Sequence, residues 1–486
     1  MLRSLASVSA ASMLGLAGLL GPVVGGLTDT VDAVTSTVVD AGVLEDGRAL
    51  VHVADDADLD AVADHASAQG LDVTSRYHRI GVFHAAGSAS ALNGLADEAE
   101  VVRLEHDAPI EILTDTSHDA TRGAELVAGD VEDLGVVDGA GVGVAVVDTG
   151  VDASHPDLQG QVGENVKVLP GGVAIPFSDT DLLSLGGHGT HVAGTIAGTG
   201  AASDGAYTGA APRATIHGVS GGTLISMHSA LDALDWVLSN HDQVEPAIGV
   251  VNNSWGSTGE HDPDGATTLM VNELVDEGVT VVFAAGNSGG DGSSAQTSPE
   301  CTNPTPGVIC VAAYDDGGTG TRDGETAGFS SRGDADDEAT WPDLAAPGAD
   351  IVAACPAYLP ICLTGVGMVD PADTLMYASL SGTSMAAPHI AGIAAQLLQL
   401  DPDLTPAQLE DVLVATAADY GDEGFAQGAG LVDAVEAALQ VAGGADASDE
   451  SLNAEGGDDE NGDDVVEEGP RGNERAEQAR ERRAGR

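Results

Sequence analysis

GVGVAVVDTG, residues Gly141–Gly150, is an apolar run that ends in a carboxylate. Its small and β-branched residues follow one another without the polar alternation of a half-solvated strand. The run therefore reads as a strand buried on both faces. Similar runs recur at ATIHGV (Ala214–Val219), IGVVNNSWG (Ile248–Gly256), VTVVFAAGN (Val279–Asn287) and GVICVAAY (Gly307–Tyr314). Between them lie helical patterns such as LISMHSALDALDWVLSN (Leu224–Asn240) and ATTLMVNELVDEG (Ala266–Gly278). Strands of this kind alternating with helices imply an α/β fold, a mainly parallel sheet in three layers. In such sheets functional side chains gather beyond the carboxyl ends of the strands.

Composition supports a packed core for most of the 486 residues, 43% of them hydrophobic, but only 3% are aromatic. The core must come from Ala, Val, Leu and Ile. Sixteen basic side chains against 78 acidic ones give a net charge of −62, and Lys167 is the one lysine. Such a chain repels nucleic-acid phosphates and anionic membranes. Its self-repulsion is screened only when the Debye length falls to about 3 Å, near 1 M salt. The surface fits work in high salt; it also fits an ordinary acidic protein from a GC-rich genome.

Several segments flank that block. Residues 1–26, with Arg3 before a small apolar stretch, read as a secretory signal, a retained N-terminal anchor being the alternative. A linker follows over 27–46. Residues 47–113 alternate in the order β-α-β-β-α-β, as in a small ferredoxin-like module. The main domain is expected over 114–445. Residues 446–486 hold an acidic block and an Arg-rich end with few apolar side chains, and read as a disordered tail. Cys301 with Cys310 and Cys355 with Cys362 form two close pairs, and local pairing closes two short loops simply. A zinc site is the rival, weakened because neither pair has C-x-x-C spacing.

Four motifs carry chemistry. Asp148 in VVDTG can cap a turn, belong to an aspartic-protease pair, or orient an imidazole. The second reading needs a partner carboxylate, and no second D-T-G or D-S-G occurs. GGHGTHVAG places His188 and His191 on a Gly-rich turn opening a helix; H-x-x-H without an adjacent Glu is a poor zinc signature. Asn287 in AAGNSGG is a turn residue by type, and also the kind of side chain that donates to an oxyanion. In SLSGTSMAAPHIAG, Ser384 is either a helix cap or a nucleophile, and Pro388 decides nothing alone.

Taken together, Asp, His, oxyanion-type Asn and Ser on strand ends and helix starts make a complete acyl-transfer constellation. Their order, with VVDTGVDASHPDL, HGTHVAGTIAG, NNSWG, AAGN and GTSMAAPHIAG, resembles the subtilisin-like serine proteases over about 330 residues. The resemblance implies Ser384 as nucleophile, His188 as general base and acid, and Asp148 as its orienting carboxylate. It implies Asn287 and the Ser384 N–H as oxyanion hole, and Ser254, Trp255 and Gly256 with Ala285 and Gly286 as pocket walls. Those segments carry no carboxylate, so an apolar or broad preference is expected. No cofactor is required for the chemistry; calcium is implied as a structural ion, with Asp157 as a ligand and Asp204 as a possible substitute. The 47–113 module resembles a propeptide that assists folding and inhibits the enzyme, released by cleavage between Leu113 and Ala124. The chain is thus expected to be an exported serine endopeptidase and a monomer, with protein or peptide substrates and its own propeptide as partners. The alternative is a catalytically silent binding or surface protein on the same fold.

Overall fold

The computed structural model describes residues 48–453, apart from 55–56, 78–81, 96–97, 107–116, 170–171, 223–226, 258–260, 366–368, 370–372 and 374. The expected signal and linker, and the tail beyond Asn453, lie outside the described residues. Chain contacts divide the protein into two units at Glu111 and Ile112.

In the first unit β1 (Arg48–Val53), α1 (Leu59–Ala68), β2 (Asp72–Tyr77), β3 (Val82–Ala86), α2 (Ala89–Leu95) and β4 (Val101–His106) succeed one another. The sheet order is β2-β3-β1-β4, and every pairing is antiparallel. Asp58 caps α1, its carboxylate accepting from the N–H groups of Asp60 and Ala61. Val51, Phe83, Ala63 and Leu92 fill this unit's own core.

The second unit opens with the short helices α3 (Ser117–Thr121) and α4 (Gly123–Ala128), then β5 (Gly143–Asp148). There follow β6 (Val162–Leu169), β7 (Val173–Pro176), α5 (Thr180–Ser184), α6 (His188–Ala197), β8 (Thr215–Ser220) and α7 (Met227–Asn240). Next come β9 (Ile248–Asn253), α8 (Ala266–Asp276), β10 (Thr280–Ala284), β11 (Val308–Asp315), β12 (Glu325–Thr326) and β13 (Leu344–Pro347). The unit closes with β14 (Ile351–Ala354), β15 (Tyr377–Leu380), α9 (Thr383–Leu400), α10 (Pro406–Thr416), α11 (Gly424–Gln427) and α12 (Ala434–Asn453).

The main sheet runs β12-β11-β10-β9-β5-β8-β6-β7, with β13 beside β11. Its centre is parallel, and the edge strands β7 and β12 pair antiparallel. β5 shows why its sequence is apolar throughout. Val144 and Val146 pack with Val192 of α6 and Ile390 of α9 on one face. Ala145 and Val147 pack with Leu234 of α7 and Leu274 of α8 on the other. Successive side chains point to opposite faces, so a strand covered on both sides has no polar position to offer.

Both local disulfides form, Cys301–Cys310 and Cys355–Cys362. One boundary differs from expectation: α12 runs to Asn453, so residues 446–453, read as disordered tail, are helical. Once α12 is nucleated on its packed face, propagation adds one bond per residue ordered. Among the described residues no helix is long and apolar enough to cross a membrane.

Candidate active site

Asp148 is the last residue of β5 and is fully buried. His188 is the first residue of α6, and its ring lies across the carboxylate: Nδ1 is 2.8 Å from Oδ1 and 3.0 Å from Oδ2. The carboxylate only accepts, so Nδ1 carries the proton and Nε2 is left as the basic nitrogen. The Thr149 N–H donates to Asp148 Oδ1 at 2.7 Å. Burial pulls the imidazole pKa down, but the charge and hydrogen bond of Asp148 and the charge of Asp181 outweigh it. The net position is above the ordinary histidine value.

Asp181, absent from the sequence expectations, holds this arrangement from below. It is fully buried on α5 and accepts the Thr149 hydroxyl at 2.7 Å, the Gly187 N–H at 2.8 Å and the Thr190 N–H at 3.0 Å. The Thr190 hydroxyl also donates to it. One carboxylate therefore ties the turn after Asp148 to both flanks of His188. Burial pushes its pKa up to about 6 against those bonds. Gly187 sits at φ +120°, and a Cβ there would meet Ile361 at 2.7 Å and the Cys362 sulfur at 2.9 Å. The Cys355–Cys362 loop thus packs directly against the turn that delivers His188.

Ser384 is the second residue of α9, after Gly382 as N-cap. Its hydroxyl donates to the Ser254 carbonyl at 2.9 Å, while the Ser254 hydroxyl donates to the Ser384 carbonyl at 2.7 Å. Pro388 explains why that carbonyl is open. A proline has no N–H to return to the residue four earlier, which here is Ser384. The proline in the motif therefore frees a backbone acceptor that locks β9 to the start of α9. His191, by contrast, is a buried structural group: its Nε2 lies 3.0 Å from the Ile351 carbonyl and 3.1 Å from that of Ala378. Desolvation drops its pKa to about 4.

Asn287 follows β10 and faces α9. Its Oδ1 accepts the Thr383 N–H at 2.9 Å and the Thr383 hydroxyl at 3.1 Å. Two donors to one atom identify it as the oxygen and leave Nδ2 with its hydrogens to donate elsewhere. Asn287, Ser384, Thr383, Trp255, Gly256 and Gly286 line one cleft of about 430 Å³. Ser254 and Ala285 are buried and are not part of that lining. Trp255 is fixed by its Nε1–H, which donates to the Val147 carbonyl at 3.0 Å, and by an edge contact on Phe283.

The expected calcium ligand has another occupation. Asp157 is fully buried; Oδ1 accepts the Ala202 N–H at 2.9 Å and Oδ2 the Tyr377 hydroxyl at 2.7 Å. Each carboxylate oxygen is thus already held by one hydrogen-bond donor of the fold. Asp204 is exposed on a left-handed turn. Among the described residues no group of three or more His, Cys, Asp or Glu side chains is placed to hold a metal.

Comparison with known proteins converges on one family. The sequence model of the Subtilase family, peptidase S8, matches residues 139–431. Serine protease AprX of Bacillus subtilis (strain 168) is 34% identical over 380 residues, covering 74% of this chain and 79% of AprX. The subtilisin of Bacillus pumilus is 34% identical over 310 residues, 62% of this chain and 92% of that protein. Among solved structures, fervidolysin from Fervidobacterium pennivorans, a keratinolytic enzyme related to subtilisin, superposes with a TM-score of 0.53 at 28% identity. That similarity covers 82% of this chain and 62% of fervidolysin.

Proposed function

The chain belongs to the subtilase family of serine-type endopeptidases, and from that premise we propose that Ser384, His188 and Asp148 are its catalytic triad. The reading is supported by an Asp148-oriented imidazole at the start of α6, and by a cleft lined by both Ser384, at the start of α9, and Asn287, whose amide nitrogen is left to donate. Ser384 Oγ leaves the Ser254 carbonyl by rotation about its side-chain bond and attacks the scissile carbonyl carbon. His188 Nε2 takes the hydroxyl proton and passes it to the leaving amine. Asp148 stabilises the imidazolium without itself becoming protonated. Asn287 Nδ2 and the Ser384 backbone N–H donate to the oxyanion, where charge develops. Water, activated by the same histidine, hydrolyses the acyl-enzyme.

The residue composition extends the proposal. The enzyme is made as an exported zymogen, with the first unit as propeptide, folding assistant and inhibitor, and it matures to a monomer. Its charge of −62 suits work in high salt, where self-repulsion is screened. No calcium step enters the mechanism.

The test compares the full precursor with its Ser384→Ala variant, refolded in molar-range salt and exposed to a fluorophosphonate probe. The wild type is expected to lose its N-terminal unit and to label, and the variant to do neither. A folded wild type that neither labels nor shortens overturns the proposal and leaves a binding protein on a peptidase fold.

A further inference from the structure

The pocket walls read from the sequence carry no charge, yet the fold brings a carboxylate to them. Glu300 follows Pro299 in a short helical turn and is 8% exposed. Its Oε2 accepts the Ser257 N–H at 3.0 Å. A Cβ placed on Gly256, which lines the active-site cleft, would lie 3.7 Å from that oxygen. The Ser298 side chain lies nearer to that position, its Cβ at 2.6 Å and its hydroxyl at 2.9 Å, and it shares the cleft wall with Gly256.

A second cavity, of about 220 Å³, adjoins the first and shares Ser257 and Pro299 with it. Glu300, Asp262, His261 and Phe283 are among its walls, and no lysine or arginine lines either cavity. Among the described residues no ion pair reaches Glu300. Burying a carboxylate without a counter-charge is costly, and a neutral glutamine would accept the Ser257 N–H equally well. Its negative charge is therefore unexplained by the fold and well placed for a cation arriving along the cleft.

We infer that Glu300 makes the primary specificity pocket a receptor for a basic substrate side chain, arginine or lysine, with Asp262 deepening the negative potential. The inference rests on the peptidase reading of the same cleft and reverses the apolar preference expected from the wall segments alone. A long cationic side chain enters between Trp255 and Gly286, lays its methylenes along the Trp255 ring and passes Ser298 to end at the carboxylate of the adjoining cavity.

The experiment uses the full chain, matured in salt, and matched peptide p-nitroanilides that differ only in the residue before the scissile bond: Arg, Lys, Leu or Phe. Wild type is expected to cleave the Arg and Lys peptides at least about tenfold better in kcat/KM than the Leu peptide. Glu300→Gln should erase that preference while keeping the Leu peptide within about threefold, and Glu300→Asp should retain part of it. Fluorophosphonate labelling, measured on every variant, reports the catalytic machinery separately. A wild type that labels but prefers Leu or Phe overturns the inference alone, as does an equal loss on all four peptides in Glu300→Gln. A folded wild type that does not label overturns the peptidase reading and this inference with it.

Discussion

Thr383 holds Asn287 twice, by its backbone N–H at 2.9 Å and its hydroxyl at 3.1 Å, both on Oδ1. The Thr383 hydroxyl in turn accepts the Gly286 N–H at 3.0 Å, so the loop after β10 and the start of α9 share one oxygen. Nδ2 is thereby aimed before substrate arrives, which is the condition for donor strength in a transition state. Asn287→Ala is expected to lower kcat by about 10²–10³ with little change in KM, the cost established for such a donor in subtilisin itself. Thr383→Val keeps the N–H bond and loses the hydroxyl, and should cost about tenfold or less, a step of roughly 1.4 kcal/mol. Steady-state kinetics on one peptide substrate separates the two; a large KM effect with unchanged kcat would count against preorganisation.

The pH dependence follows from two carboxylates facing one imidazole. In the proposed mechanism His188 must be neutral to act as base, and its pKa lies above the ordinary value, so activity should rise with pH through a point above about 6.5. Asp181→Asn removes one negative charge, lowers the pKa of His188 and moves the acid limb of kcat/KM to lower pH. Below about pH 6 the wild-type Asp181 is itself protonated, so the two profiles should converge there. An unmoved limb would show that Asp181 acts only through the geometry of Gly187 and Thr190.

Acid stability has its own signature. His389 and His191 are buried and neutral, with pKa values pushed down to about 3 and about 4 by desolvation first and by neighbouring histidines second. A histidine whose folded pKa is depressed contributes stability that is complete above the unfolded pKa of about 6.5. That contribution is lost as pH falls, because the unfolded chain takes up protons that the fold refuses. Urea midpoints measured from pH 7 to pH 4 in fixed salt should therefore fall steadily. His389→Gln should flatten the slope, even if it lowers stability at pH 7 by losing its bond to the Met385 carbonyl.

Some of this was legible in the chain and some was not, for reasons that are physical. The buried strands announced themselves because covering both faces leaves no polar position, and Asp148, His188, Asn287 and Ser384 stood out because each ends an apolar run or sits on a Gly-flanked turn. Asp181 gave no such signal: it sits on a five-residue helix that ends no apolar run, and its partner Thr149 lies 32 residues earlier. Glu300 reads as an ordinary turn residue until the loop carrying it closes behind Gly256. The partner of Asp157 was hidden for the same reason, since the hydroxyl that donates to it belongs to Tyr377, 220 residues away. Local pattern reports what one element needs; it is silent on which distant side chain answers it.

The bond between the Tyr377 hydroxyl and Asp157 has a measurable consequence. Tyr377 is fully buried, stacks edge-on with Tyr207 and His155, and donates to Asp157. Tyr377→Phe leaves a buried carboxylate oxygen without its donor, at a cost of about 1–3 kcal/mol, and should lower Tm. Chelation with EDTA should leave the wild-type Tm unchanged at constant ionic strength. A chelator-induced fall that calcium restores would show that an ion binds, and the geometry at Asp157 would have to open to admit it.

A disulfide-closed loop lies behind the turn that delivers His188. Cys355 and Cys362 close a short loop whose Ile361 and Cys362 side chains press on Gly187, one residue before His188. The other disulfide, Cys301–Cys310, ties a short helical turn to β11 and packs with Ala285. Each bond closes a short loop and should contribute about 2–3 kcal/mol of stability. Their kinetic effects should differ. Replacing Cys355 and Cys362 by serine frees the turn, and small displacements of a catalytic base can cost up to about 100-fold in rate. The expected result is a fall in kcat at temperatures where the variant remains folded, with slower fluorophosphonate labelling of Ser384. The Cys301→Ser and Cys310→Ser double variant should lose Tm without a comparable loss of labelling rate below its transition. If both variants lose activity only in step with Tm, the Cys355–Cys362 loop stabilises the fold and does not position His188.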